Sequence, residues 1–389
     1  MNNNAIGIAG YAEIPNRLRT GRSAYDLAGE VLAELQDKTG IGLEDIDGLS
    51  VTTALSEAGN AFYAAFMCEA LGVTPSWLHL SGIGGCSALS GVRSAISAVN
   101  DGRCRIAVVL SADATSTAHR GVPGAQTPEF QNPQSGARPP AVFGLLMSRY
   151  AHQFGLNEEA LGKLAVVQRS HAVMNDNAVP KLRQPLTLED YLNSRVIADP
   201  LRMLDSVMPC DGANAVLVTT REEARRLGLT TMAVPRAYAE VTNFKGRDPL
   251  ADITDVGFSG IAERIFSEAG MKPADIRMFQ PYDDFTIAIQ LQLEALGFCP
   301  RGQGADYILD TDLTYRGTLP LNTSGGQISA GQPGLAGGGL NLVEAVRQLF
   351  GEGGSRQIDD PRNALVTGIG AIPYARNWAS SSAMILEAI

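Results

Sequence analysis

The chain of 389 residues is 45% apolar and 19% charged, enough for a large buried core and, at this length, two domains. Its net charge of −10 is spread along the sequence without a basic patch, which argues against nucleic acid or an anionic membrane as partner. No stretch approaches the ~20 consecutive apolar residues that span a bilayer, and Met1-Asn2-Asn3-Asn4 lacks a basic n-region, so neither a membrane protein nor a signal peptide is expected.

In chain order, Ala5 to Ala9 reads as a strand, Ala24 to Leu35 as a helix ending before Gly40, and Ile46 to Val51 as a strand edge. Leu89, Val92, Ile96 and Val99 fall at 3-4-3 spacing and predict one apolar helix face, which stops at Asn100-Asp101-Gly102. Ile106 to Leu110 has the composition of a buried parallel strand. Gly121 to Pro140 reads as a long loop. Helical patterns follow from Phe143 to Gln153 and from Glu158 to Val173, then a strand from Ala215 to Val218 and a charged helical connector over residues 220 to 232. In the second half, Ile276 to Phe279 and Ala364 to Val366 read as strands and Ile287 to Leu296 as a helix. Strands alternating with helices imply a parallel or mixed sheet covered by helices, an α/β fold.

A weak internal repeat divides the chain near residue 230. Gly40 and Gly270 each follow an amphipathic helix, and each precedes an Asp-Ile pair (Asp45-Ile46 and Asp275-Ile276) by five residues. Each half then carries a Gly-Gly turn, a helix and an apolar strand: Gly84-Gly85 to Leu110, and Gly325-Gly326 to Val366.

The five cysteines (Cys68, Cys86, Cys104, Cys210, Cys299) are odd in number and lack Cys-x-x-Cys spacing, so neither a zinc ribbon nor a disulfide framework is expected and a reducing cytoplasm is the natural compartment. Cys86 stands where a helix begins, in Gly84-Gly85-Cys86-Ser87, and the positive helix end favours thiolate there. It reads either as a nucleophile or as a small buried packing residue; for the other four the packing reading is favoured. Tyr282-Asp283-Asp284-Phe285 lies at a strand-to-helix turn. Asp283 reads as a helix cap and Asp284 as a proton-transferring carboxylate with a raised pKa. Tyr282 can donate to an oxyanion or simply pack. The glycine-rich run Gly325 to Gly339 and the turn Gly368-Ile369-Gly370 mark close backbone approach. Of the histidines (His79, His119, His152, His171), none lies beyond residue 171. His152 and His171 read as packed or solvated, and no spacing points to a metal site.

Taken in order, several fragments resemble the thiolase superfamily, in its sterol-carrier-protein-X and lipid-transfer-protein branch. They are Asp45-Ile46-Asp47-Gly48-Leu49, the Cys86 turn, Arg169-Ser170-His171-Ala172, Ile197 to Asp205, Cys210 to Val216, Tyr282-Asp283-Asp284-Phe285 and Asn322 through Gly339. The resemblance implies a five-layer α-β-α-β-α sandwich of two repeated halves: residues 1–230, with a loop domain at about 115–205, and residues 231–389. It also implies a homodimer. Thiolases hold an acyl group on the cysteine that Cys86 matches and activate it with the histidine of a Gly-His-Pro motif. Here that motif reads Gly331-Gln332-Pro333, and an amide cannot take a thiol proton. The late Cys-x-Gly reads Val366-Thr367-Gly368. An ordinary acetoacetyl-CoA thiolase is therefore not expected. The motifs resemble those of the phloroglucinol acetyltransferase subunit, which works with a zinc-ribbon/OB-fold protein, and of the steroid side-chain aldolases, where tyrosines are implicated and an OB-fold partner is required.

Three functions stand on this reading. The first is an acyltransferase making or breaking a C–C bond next to a carbonyl through acyl-Cys86. In it Gly325, Gly326 or Gly368 hold the oxyanion, Asp284 and Tyr282 move the proton, and Gln332 stands in the histidine's place. The second is a retro-aldolase on acyl-CoA thioesters in which Cys86 is a bystander. The third is a non-catalytic acyl-CoA or lipid-binding subunit. No tightly bound cofactor is expected, and a coenzyme A thioester is the expected substrate.

Overall fold

The computed structural model describes residues 5–118, 139–248, 251–370 and 378–389. The loop expected from Gly121 to Pro140 therefore lies outside the described residues up to position 138, as does His119.

Strand β1 (Ile6–Glu13) leads to helix α1 (Ala24–Thr39), which Ser23 opens with a capping box and Gly40 closes in the left-handed region at φ 71°. Strand β2 (Gly48–Thr52), helix α2 (Tyr63–Leu71), strand β3 (Trp77–Ser81), helix α3 (Ser87–Asn100) and strand β4 (Ile106–Ala114) follow. An inserted region carries α4 (Thr115–Ala118), α5 (Pro139–Phe154), α6 (Glu158–Val173), α7 (Leu188–Leu192) and the hairpin β5 (Val196–Ala198) and β6 (Leu201–Arg202). Strand β7 (Asp211–Thr220) and α8 (Arg221–Arg226) lead to β8 (Ala233–Thr242). The chain continues through α9 (Ala262–Ala269), β9 (Phe279–Gln280), α10 (Thr286–Ala295), α11 (Gly304–Asp310), α12 (Gly326–Ala330), α13 (Gly337–Leu349), β10 (Asn363–Ile369) and β11 (Ser380–Ala388). Among the described residues no helix is long and apolar enough to cross a membrane.

The strands run in the order β3-β2-β4-β7-β1-β8-β11-β10-β9. Five come from the first half and four from the second, joined where Ile8 of β1 pairs Ala233 of β8. Three apolar clusters set the layers. One packs α1 and α2 on the outer face of the first-half strands, through Leu27, Val31, Leu35 and Met67. A second seats α3 and α13 between the two half-sheets, through Leu89, Val92, Val343 and Val346. The third covers the second-half strands with α9, α10 and the inserted helices α5 and α6. The five-layer thiolase-like sandwich follows, because each helix buries one stripe and each half-sheet buries both faces.

The predicted apolar face of α3 holds at Leu89, Val92 and Val99, while Ile96 is half-buried. Two expectations need correction. The strand read at Ile276 to Phe279 is confined to Phe279–Gln280, since the Arg277 N–H donates to the Asn363 side chain in place of a strand partner. The counterpart of the Gly84–Cys86 turn is the 3₁₀ turn Gly334–Ala336 ahead of α13, which packs on it, and not Gly325-Gly326, which opens only the five-residue α12.

Candidate active site

The chain leaves β3, makes the 3₁₀ turn Gly84–Cys86 and enters α3 at Ser87. The Tyr282 ring and other backbones approach this turn so closely that side chains are excluded. A Cβ on Gly85 would stand 2.0 Å from Cε2 of Tyr282 and 2.6 Å from the Ile369 carbonyl oxygen. A Cβ on Gly338, at the start of α13, would stand 2.1 Å from the Gly85 carbonyl oxygen. A Cβ on Gly368 would meet the Cys86 Cα at 2.8 Å. Cys86 is fully buried. Burial pushes its thiol up to about 12. Desolvation outweighs the helix-start effect read from the sequence, so the thiol is protonated at neutral pH.

Tyr282 is clamped through its backbone. Its N–H donates to Thr367 Oγ1 at 2.9 Å, and its carbonyl accepts from Gln292 Nε2 at 2.8 Å. The Thr367 hydroxyl donates to Gln292 Oε1 at 2.5 Å and closes the clamp. The preceding carbonyl, of Pro281, accepts from Asn322 Nδ2 at 3.1 Å and from Asn341 Nδ2. Asn322 itself adopts the left-handed region at φ 44°. Its carbonyl accepts from His171 Nδ1 at 3.1 Å, while His171 Nε2 accepts from the Tyr315 N–H at 3.0 Å. Those partners fix the tautomer, and burial lowers the His171 pKa to about 4. His171 is thus a neutral packed residue supporting the site loop.

The two carboxylates have separate roles. Asp283 is fully buried and accepts from the N–H groups of Gln327 at 2.9 Å and Ile328 at 3.1 Å. It caps α12 and not the helix that follows it in sequence, which corrects the local capping expected. Burial raises it to about 8, against the pull of those donors. Asp284 is half-buried, is raised to about 7 by burial, and leaves its Oδ1 without a hydrogen-bond partner. Its carbonyl accepts from the Val207 N–H at 3.3 Å, which ties it to the inserted region. Tyr282 is raised well above the usual phenol range, first by burial and then by the neighbouring Asp284 carboxylate.

Gln332 is held on both sides of its backbone: its N–H donates to the Met208 carbonyl and its carbonyl accepts from the Cys210 N–H, each at 2.9 Å. Its Nε2 donates to Tyr282 Oη at 3.3 Å and to Gln327 Oε1 at 3.1 Å. The structure therefore brings Gln332, Tyr282 and the Cys86 turn together, with Asp284 next along the chain. It does not leave Gly325 and Gly326 free as oxyanion donors, a correction to that expectation. The Gly325 N–H donates to the Asn322 carbonyl at 2.8 Å and the Gly326 N–H to Ser324 Oγ at 3.3 Å. These two glycines give room to Ala172 and to the Asp283 carboxylate. Gly368 lies within β10, opposite Ser382 of β11. Gln292 and Asn341 escaped the sequence reading. The signal for both is a polar residue on a helix whose neighbours are buried all round.

Comparison with known proteins fits this geometry. Residues 243–388 match the family model for the thiolase C-terminal domain-like proteins. The chain is 33% identical to a steroid side-chain-cleaving aldolase of Thermomonospora curvata, across 95% of this chain and 96% of the relative. It is 29% identical to a 17-hydroxy-3-oxo-4-pregnene-20-carboxyl-CoA lyase of Mycobacterium tuberculosis, across 85% and 88%. Among solved structures, the Ltp2–ChsH2(DUF35) aldolase superposes with a TM-score of 0.84 at 30% identity, covering 99% of this chain and 98% of that one. Fold, motif order and full-length similarity agree: the chain belongs to the thiolase superfamily, in its SCP2-thiolase-like branch.

Proposed function

We propose that the chain is a carbon–carbon lyase, a retro-aldolase acting on β-hydroxyacyl-CoA thioesters. One observation carries this reading over acyl transfer. Of the two carboxylates that follow Tyr282, Asp283 has both oxygens taken by the Gln327 and Ile328 N–H groups while Asp284 keeps Oδ1 without a partner, whereas the Cys86 thiol is buried and protonated and Gln332 stands at the motif position of the thiolase imidazole. The two relatives named above, a side-chain-cleaving aldolase and a CoA lyase, support it.

In the proposed reaction the Asp284 carboxylate takes the proton of the substrate's β-hydroxyl. The O–H electron pair forms the new carbonyl at Cβ, the Cα–Cβ bond breaks, and its pair passes to the thioester as an enolate. Tyr282, kept protonated by burial, donates a hydrogen bond to the enolate oxygen. Asp284 then returns its proton to Cα. A carboxyl near 7 suits both halves of this exchange at neutral pH.

The active form is proposed as a homodimer working with a zinc-ribbon/OB-fold protein. The exposed edge strand β3, with Leu78 and Leu80, supports the first, and the solved complex of the Ltp2–ChsH2(DUF35) aldolase supports the second. The test incubates the chain and its partner with a β-hydroxyacyl-CoA and follows the carbonyl product and the shortened acyl-CoA by mass spectrometry. Cleavage that persists in Cys86→Ala and disappears in Asp284→Asn is expected. Cleavage lost in Cys86→Ala, with an acyl adduct on Cys86 of the parent protein, returns the assignment to acyl transfer.

A further inference from the structure

We infer that the ring of Tyr282 is a reaction-specificity determinant: it lies on the Gly84–Cys86 turn and closes the Cys86 thiol off from thioester substrates. This inference gives a second role to a residue of the proposed retro-aldolase site, and in that sense rests on the lyase reading. The role belongs to the ring and is separate from the work of the hydroxyl.

The ring touches the residue next to the cysteine. The Cβ position of Gly85 falls 2.0 Å from Cε2 and 2.4 Å from Cζ of Tyr282, so the ring sits where any side chain at position 85 would project. It is held there by its backbone: Thr367 and Gln292 grip Tyr282, and Asn322 and Asn341 grip Pro281. On the sheet side, Gly368 of β10 presses on the Cys86 Cα and Ser382 of β11 stands beside it. Burial follows this layout. Gln332, whose Nε2 donates to the Tyr282 hydroxyl, is half-buried, while Cys86 at the end of the turn is 0% exposed.

The consequence is chemical. Acylation of Cys86 would form an Sγ–C bond to the thioester carbonyl carbon and break its bond to the coenzyme A sulfur, which would leave as thiolate and take up the thiol proton. That attack needs the Cys86 sulfur at the carbonyl carbon. With the ring in place, the carbonyl meets Tyr282 and Asp284 instead, and the bond that breaks is Cα–Cβ.

Alkylation tests this without depending on the lyase reaction. The native protein is treated with iodoacetamide and labelling of each cysteine peptide is followed by mass spectrometry, with half-buried Cys68 as internal standard and buried Cys210 as reporter of unfolding. Cys86 of the parent protein and of Tyr282→Phe is expected to stay unlabelled. Tyr282→Ala is expected to label Cys86 at least ~10-fold faster with Cys68 unchanged, because exposure restores thiolate. If Cys210 of Tyr282→Ala also labels, Tyr282→Leu, which keeps most of the packing, replaces it and is read by the same criterion. Labelling of Cys86 in the parent protein or in Tyr282→Phe overturns the inference, as does an unreactive Cys86 in the folded ring-deleted variant. The lyase reading fails separately, if Tyr282→Phe and Asp284→Asn both cleave β-hydroxyacyl-CoA at the parent rate.

Discussion

Gln332 holds its side-chain nitrogen 3.3 Å from the Tyr282 hydroxyl oxygen and 3.1 Å from Oε1 of Gln327. A donor in this place occupies a lone pair of the phenol and leaves the phenol proton for the substrate. Replacing the amide by a carboxylate reverses that polarity. Gln332→Glu is therefore expected to lower kcat by about 10²-fold at neutral pH, the loss typical of one missing oxyanion donor. The loss should shrink as pH falls and the new side chain takes up a proton. Gln332→Leu should show a loss with no such recovery, so kcat-against-pH curves for the two variants check the polarity.

Asp284 carries the pH dependence. Burial raises it from the ordinary carboxylate value to about 7, and its base form is the deprotonated one. The rate constant kcat/KM should therefore climb with pH through about 7 and level above it. Asp284→Asn is expected to lose roughly 10²–10⁴-fold in kcat, the usual contribution of a positioned acid or base. Stability runs the other way. A carboxyl whose folded pKa lies above its unfolded value contributes stability that is complete below about 4 and is lost as pH rises through about 7. Asp284→Asn should therefore melt at a higher temperature than the parent at pH 8 and show little difference at pH 4, as thermal unfolding across that range will record.

The sequence disclosed the fold wherever local pattern and burial agree. Helix α6 appears at its predicted bounds, and α1 stops at Gly40 because only a left-handed residue fits there. Strands β8 and β11 escaped the sequence reading: Pro235 interrupts one, and the other opens on Ser380-Ser381-Ser382, which tertiary packing buries ahead of the apolar run Ala383 to Leu386. The site was legible as a set of residues and much less as a set of roles. Cys86 was found by its place at a helix start, but its protonation state is decided by the sheet and the ring that cover it. Asp283 looked like a local cap, and the helix it caps lies 44 residues further along. Contacts of that separation leave no periodicity to read.

The outer edge of the sheet predicts the oligomeric state. Strand β3 pairs β2 on one side and ends the sheet on the other, with Leu78 and Leu80 exposed. Phe62 and Phe66, beside and on the adjoining α2, are 67% and 47% exposed with ring centroids 6.1 Å apart. An exposed strand edge beside an apolar patch is a pairing surface. The protein is expected to run as a dimer in light-scattering chromatography, and the double variant Leu78→Lys/Leu80→Lys as a monomer. A dimer that survives both lysines places the interface elsewhere.

A buried ion network predicts where the fold is weakest to substitution. Arg347 of α13 donates to Glu13 of β1 and to Glu344, each at 2.6 Å, and Arg356 reaches Glu344 at 3.2 Å. Glu344 is fully buried; despite that burial, Arg356 and Arg347 hold it down near 2. Arg347→Met removes the cation that faces both carboxylates. The expected loss is about 3–5 kcal/mol, because breaking a buried pair leaves an uncompensated charge. Adding Glu13→Gln should return part of that loss, since one orphaned carboxylate is then neutral. Urea unfolding at pH 7 measures both changes. The network lies in α13, the helix whose first turn presses on Gly85, yet it touches neither Tyr282 nor Asp284. The folded fraction of Arg347→Met should therefore retain the parent kcat, and a kcat that falls with stability still intact would mean that α13 positions the Gly85 turn through its charges.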